Sequence, residues 1–182
     1  MNRRYLSGSI LLVIVLLISG CVQQQQPVTE VTIPGHPTYT FSNPIDEALK
    51  YPVGNEIEIV RSILKSKELN IVFNGSSAED DAYFQAVLYN IVTKLQTFFV
   101  YQGSILRVQT FYFIGDQWYN LTSNTTAPDI EGLTIWIRGP NTGATENSIK
   151  LENSTIYIQG LTYKNLTLAG DRLVLAALGV QK

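Results

Sequence analysis

The residues of this chain that can give or take protons, attack or ligate are few. There is one Cys, Cys21, and one His, His36. That removes disulfide scaffolds, Cys/His zinc sites and every triad that needs a histidine inside the fold. What remains is carboxylate. Glu79-Asp80-Asp81 run together and Asp116 follows, and two such acids at the right separation perform acid/base hydrolysis without histidine. Three acids in the first turn of a helix are also what the helix dipole favours. The cluster therefore reads first as helix electrostatics, and neither a metal nor a cofactor is expected. Gly139-Pro140-Asn141-Thr142-Gly143-Ala144 follows an apolar run, as phosphate-cradling loops do. It lacks a GKS or GKT ending and a nearby Lys. It reads as a tight turn, with Gly139, Asn141, Thr142 and Gly143 as a secondary small-ligand loop.

Two further patterns carry modification or chemistry. Five N-x-S/T sequons begin at Asn74, Asn120, Asn124, Asn153 and Asn165, all at expected turns or element ends where a glycan fits. Ser62-Ile63-Leu64-Lys65 has the S-x-x-K spacing of penicillin-recognising serine enzymes, but neither an S-D-N nor a K-T-G partner is present. It is a chance match on an amphipathic helix. Thirteen Lys and Arg against fifteen Asp and Glu give a net charge of -2. No basic field for nucleic acid exists in that balance.

The front of the chain supplies an address. Two arginines, Arg3 and Arg4, precede the apolar run Ile10 to Ile18, and Ser19-Gly20 lead into Cys21. The run is about half of the ~20 residues that a spanning helix needs, so the layout is that of a secretory signal. Ile18-Ser19-Gly20-Cys21 resembles the lipobox of prokaryotic lipoproteins. With the polar segment behind it and the sequon-bearing body, the chain resembles archaeal-type cell-surface lipoproteins. The resemblance implies cleavage before Cys21, lipid on Cys21 and an extracytoplasmic, membrane-held domain. It brings no catalytic residues.

The elements that position these groups divide the chain into a signal peptide (1–20), a Gln/Pro-rich tether (21–44) and a globular domain (45–182). Prolines at 27, 34, 37 and 44 leave no helical or strand period in the tether, and His36 is expected there as an exposed spacer. Asn55 is expected to cap a helix over 56–66, with Ile57, Val60 and Leu64, flanked by Ile59 and Ile63, as its apolar side. A buried strand spans 68–74. Phe84, Val87, Leu88, Ile91, Val92, Leu95, Phe98 and Phe99 keep the helical period over 77–101, behind a capping box at Ser76 to Glu79 and ahead of Gly103. Strands follow at 105–114, 118–121 and 133–138, then a hairpin turning at Asn153-Ser154. A last helix spans 163–178. The order predicts a single α/β or α+β domain, a mixed sheet with helices mainly on one face.

Function is expected to be that of an interaction or accessory module of the cell envelope. Its partners are the membrane, through the N-terminal lipid, and an envelope protein, and nucleic acid is excluded. An extracellular hydrolase using Glu79, Asp80, Asp81 or Asp116 is one alternative. A small solute-binding lipoprotein is the other. Converging acids in a cleft would favour the enzyme, and an exposed apolar strip the interaction module.

Overall fold

Residues 28–44, expected as a free tether, are part of the folded domain. The computed structural model describes residues 27–75, 78–114, 117–120 and 132–181. Strands β1 (Glu30–Thr32) and β2 (Thr38–Thr40) pair antiparallel. Pro34 and Pro37 fall in the connection between them, where no ladder hydrogen bond is needed. Tyr39 and Phe41 are buried in the core, and His36 stacks on Phe98 at 5.2 Å between ring centroids. The aromatic side chains hold the arm down, although the prolines keep it irregular. The Ile45 N–H then donates to the Val28 carbonyl at 2.8 Å, opening the short helix α1 (Ile45–Ala48).

Helix α2 (Glu56–Lys65) starts at Asn55, but not through a side-chain cap. Asn55 is left-handed, φ 54° and ψ 51°, a conformation asparagine tolerates. Its carbonyl accepts from Glu58 and Ile59. The inward side is Ile59 and Ile63 alone, whereas Ile57 is 71% and Leu64 45% exposed. Two apolar stripes lie on one ten-residue helix, and a two-layer domain buries only one of them.

Strand β3 (Glu68–Asn74) leads to helix α3 (Ala78–Tyr101), strand β4 (Arg107–Ile114) and strand β5 (Gln117–Asn120). The capping-box residues Ser76 and Ser77 and the Glu79 side chain lie outside the described residues. Strand β6 (Leu133–Arg138), the hairpin of β7 (Ser148–Glu152) and β8 (Thr155–Gln159), and helix α4 (Tyr163–Ala177) complete the domain. Asn153 supplies the positive φ of the hairpin turn. Thr162 caps α4 by accepting from the Asn165 N–H at 3.2 Å.

The sheet runs β5-β4-β3-β6-β8-β7. β3 is parallel to β4 and β6, β6 is parallel to β8, and both edge strands are antiparallel to their neighbours. Beyond β7 the loop at Pro52–Gly54 runs along the outer edge: the Ile149 N–H donates to Pro52 and the Gly54 N–H to Ile149. This is a mixed α/β sheet, and the described helices pack on one face. Leu69, Ile71 and Phe73 alternate toward them, in register with Leu133, Ile135 and Ile137, and then with Ile156 and Ile158. Phe84, Val87, Ile91 and Leu95 of α3 and Leu166, Ala169 and Leu173 of α4 close over that face. The other face carries Val72, Trp136 and Tyr157 in one row. There Trp136 and Tyr157 stack at 6.3 Å and the Arg138 guanidinium lies over both.

Ile91 is fully buried at the centre of α3. Ile91→Ala should cost on the order of 2 to 5 kcal/mol through lost burial and the cavity left behind. Urea denaturation gives the value, and a variant as stable as wild type would contradict this packing.

Candidate functional site

The strand order reverses about β3: the chain passes to β4 on one side and later to β6 on the other. In open α/β sheets the crevice beyond the carboxyl ends of the strands at such a reversal is the usual ligand position. Here the loops leaving Asn74 and Gly139 flank it, and Asp80 and Asp81 stand above it on the first turn of α3. Asp80 is fully buried. It accepts from the Tyr163 hydroxyl at 2.8 Å and more weakly from Asn141 Nδ2 at 3.4 Å. Asp81 accepts instead from the Tyr112 hydroxyl, at 2.9 Å to each carboxylate oxygen. Burial, and then this carboxylate, push the Tyr112 hydroxyl above its ordinary pKa. Each acid thus ties α3 to a different element, Asp80 to α4 and the loop after β6, Asp81 to β4. The two do not converge on a common point. The Glu79 side chain and Asp116 lie outside the described residues.

The loop after β6 is closed on itself. Gly139 is buried against Phe84, and its carbonyl accepts from the Thr142 and Ala144 N–H groups. The Gly139 N–H donates to Thr142 Oγ1 at 2.7 Å. The Gly139, Thr142 and Ala144 amides are thus spent inside the turn, and Gly143 holds the left-handed φ that closes it. Asn141 is the member that reaches outward, to Asp80 and to the Tyr163 hydroxyl at 3.3 Å. Among the described residues no group of three or more His, Cys, Asp or Glu is placed to hold a metal ion.

The sequons occupy varied places. Asn74 ends β3 and Asn120 ends β5, Asn153 is in an exposed hairpin turn, and Asn165 lies in the first turn of α4. Asn124 and Cys21 lie outside the described residues. Ser62 and Lys65 sit on α2, where the Ser62 carbonyl accepts from the Ser66 hydroxyl.

A substantial concavity among the described residues lies elsewhere, where the outward side of α2 meets the end of α4. It is an open groove of about 860 Å³, with walls of Leu49, Ile57, Val60, Leu64 and Ala176. Arg172 lies at its base and Arg61 and Lys65 on its rim. The Arg172 side chain is only 7% exposed, and its Nη2 donates to Glu56 Oε2 at 2.6 Å. Its Nε and Nη1 are buried without an acceptor. An unpaired buried donor costs on the order of 1 to 3 kcal/mol, more when charged.

No known protein family, curated protein or solved structure matches this chain.

The site must therefore be read from its own chemistry. The groove pairs an apolar wall with a buried cation that has donors to spare. The carboxyl-end cluster pairs acids with donors already engaged. Sequence reasoning found the second and missed the first. Its signal was present, because Ile57, Val60 and Leu64 and Ile59 and Ile63 form two apolar stripes at helical spacing, one more than this short helix can bury. Arg172 inside the apolar run of α4 was the other sign. Among the described residues, no helix is long and apolar enough to cross a membrane.

Proposed function

We propose that this protein is a lipid-anchored, extracytoplasmic module of the cell envelope, and that the groove between α2 and α4 is the surface through which it engages another envelope component. The observation that carries this reading is the outward apolar side of α2, with Ile57 and Leu64 in solvent beside a buried arginine whose Nε and Nη1 lack acceptors. Isolated exposed apolar residues need no explanation, whereas a concave cluster of them with a few polar groups is what recognition surfaces present. The hydrolase alternative requires two acids to share open space. Asp80 and Asp81 each face a tyrosine hydroxyl instead.

The anchor reading rests on the lipobox at Ile18 to Cys21. Because Val28 is already hydrogen-bonded to Ile45, only residues 22–27 separate Cys21 from the domain. A link of that many residues reaches at most about 20 Å at roughly 3 Å per residue, so acylation of Cys21 would hold the domain within that reach of the bilayer. Cys21→Ala should move the protein from the membrane to the soluble fraction, or leave an unprocessed precursor. Fractionation and N-terminal mass spectrometry test this. Unchanged retention, with no lipid mass on the wild-type N-terminus, rejects it.

A further inference from the structure

The lining of the groove narrows what can occupy it. Among the described residues it holds three cations, Arg61, Lys65 and Arg172, against one acid, Glu56, on a chain whose net charge is -2. Arg61 is paired with Glu58 and Arg172, through Nη2, with Glu56, so Lys65 at the rim and the unused Nε and Nη1 of Arg172 at the base are what can meet an incoming anion. Among the described residues, no aromatic side chain lines the groove to stack a base or sugar. Apart from the charged groups and Gln181, the lining has little to hydrogen-bond a peptide backbone. What it offers is a continuous aliphatic wall ending at a cation, in a volume typical of small-molecule sites.

We propose that the groove binds a long-chain carboxylate, its aliphatic chain along Ile57, Val60 and Leu64 and its head at Arg172. The inference rests on reading the groove as a recognition surface and names the chemistry of what it recognises. A carboxylate entering beside Arg172 supplies the acceptor that its Nε and Nη1 lack, after a turn of the guanidinium toward the groove. Charge-assisted bonds of this kind are about twice as strong as neutral ones. The aliphatic chain in turn covers the otherwise solvated side of α2.

The test uses the full-length chain in vesicles of neutral phospholipid, with a palmitate analogue carrying a diazirine, irradiated and mapped by mass spectrometry. Label should fall on the Glu56–Lys65 stretch and be competed by palmitate but not by hexadecanol. Arg172→Met and Leu64→Asp should each lower it about tenfold, the loss of one charge-assisted contact or of the apolar wall. Leu64 is exposed, so its replacement leaves the core intact. Label spread over the surface, equal competition by hexadecanol, or indifference to Arg172→Met would overturn the proposal. Competition by phosphatidylglycerol vesicles in place of palmitate would overturn the carboxylate assignment. A photoreactive residue at position 57 that crosslinks to a second copy or to residues 10–18 of the chain would mean another occupant, and also overturns it. Cys21→Ala should keep the labelling, so that failure of the anchor and failure of the amphiphile site are read apart.

Discussion

Asp171→Ala is expected to destabilise the domain by about 3 to 5 kcal/mol. The Asp171 side chain is fully buried in α4. It accepts from the Asn43 N–H at 2.9 Å, from Asn43 Nδ2 at 2.7 Å and from Asn90 Nδ2 at 2.8 Å. Asn90 in turn accepts from Lys94, whose ammonium lies 5.0 Å from the centroid of the Phe41 ring. Truncation takes the acceptor from three donors at once, of which Asn43 Nδ2 keeps a second one, Thr167 Oγ1 at 3.3 Å, at on the order of 1 to 3 kcal/mol for each stranded donor and less than additively within one network. Because Asn43 belongs to the N-terminal arm, the loss should appear first as exchange of the amides around 39–45. Hydrogen exchange and urea denaturation check both effects, and an arm that stays protected in the variant contradicts the pinning role.

The same residue sets a pH dependence. Burial raises the Asp171 carboxyl above the ordinary carboxylate range, against the lowering effect of its hydrogen bonds to Asn43 and Asn90. The native state therefore holds the proton more tightly than the unfolded chain. The stability from this group is present below the ordinary carboxylate pKa and is lost as pH rises through the raised one. Asp171→Asn removes the titration. The stability of wild type relative to this variant should grow on acidification from neutral into the carboxylate range, and a flat difference would reject the assignment. Lys94 responds in the opposite sense, since burial lowers its pKa and its contribution is lost as pH falls through that lowered value.

Gly160→Ala should be nearly as damaging, about 3 kcal/mol or more. A methyl group there would stand 2.4 Å from the Leu166 backbone N and 2.7 Å from its Cα. Such contacts cannot be relieved by turning a side chain. The obstacle is the first turn of α4, fixed by the Thr162 cap and by burial of Leu166. The Gly160 N–H also donates to Arg138 at 3.1 Å, closing the end of β8 onto β6. Pushing α4 away would open the sheet-to-helix packing. A fall of roughly 6 to 12 °C in Tm is expected for a chain of this size. A change within a degree or two would mean that α4 docks less tightly.

The legible and illegible parts of this molecule separate by the range of the interactions. Helix α3 was readable because eight apolar residues repeat the helical period along its length, and the β7–β8 hairpin because Asn153-Ser154 interrupts two alternating runs. Those signals are local. The arm was unreadable because its order comes from Tyr39 and Phe41 in the core and from Asn43 meeting Asp171, 128 positions away. Prolines that forbid a period do not forbid docking. On α2 the spacing announced a helix but not which of its two apolar stripes turned inward. That choice depends on the end of α4, where Arg172 meets Glu56 across 116 positions. The carboxyl-end cluster was foreseen as acids beside a loop, yet the hydroxyls that occupy them, Tyr112 and Tyr163, lie 31 and 83 positions away.

The loop at Pro52–Gly54 along the outer side of β7 bears on how such domains crowd together. An open sheet edge is a template for strand addition by a neighbour, and anchoring to a surface raises the encounter rate of identical copies. One edge of this sheet has its Ile149 groups already taken, with Lys150 and Glu152 on the same strand, and the other ends in a strand of only four residues. Short, charged or occupied edges are what keep sheets from joining edge to edge. If the domain is anchored as proposed, a densely displayed population of this protein should therefore stay dispersed.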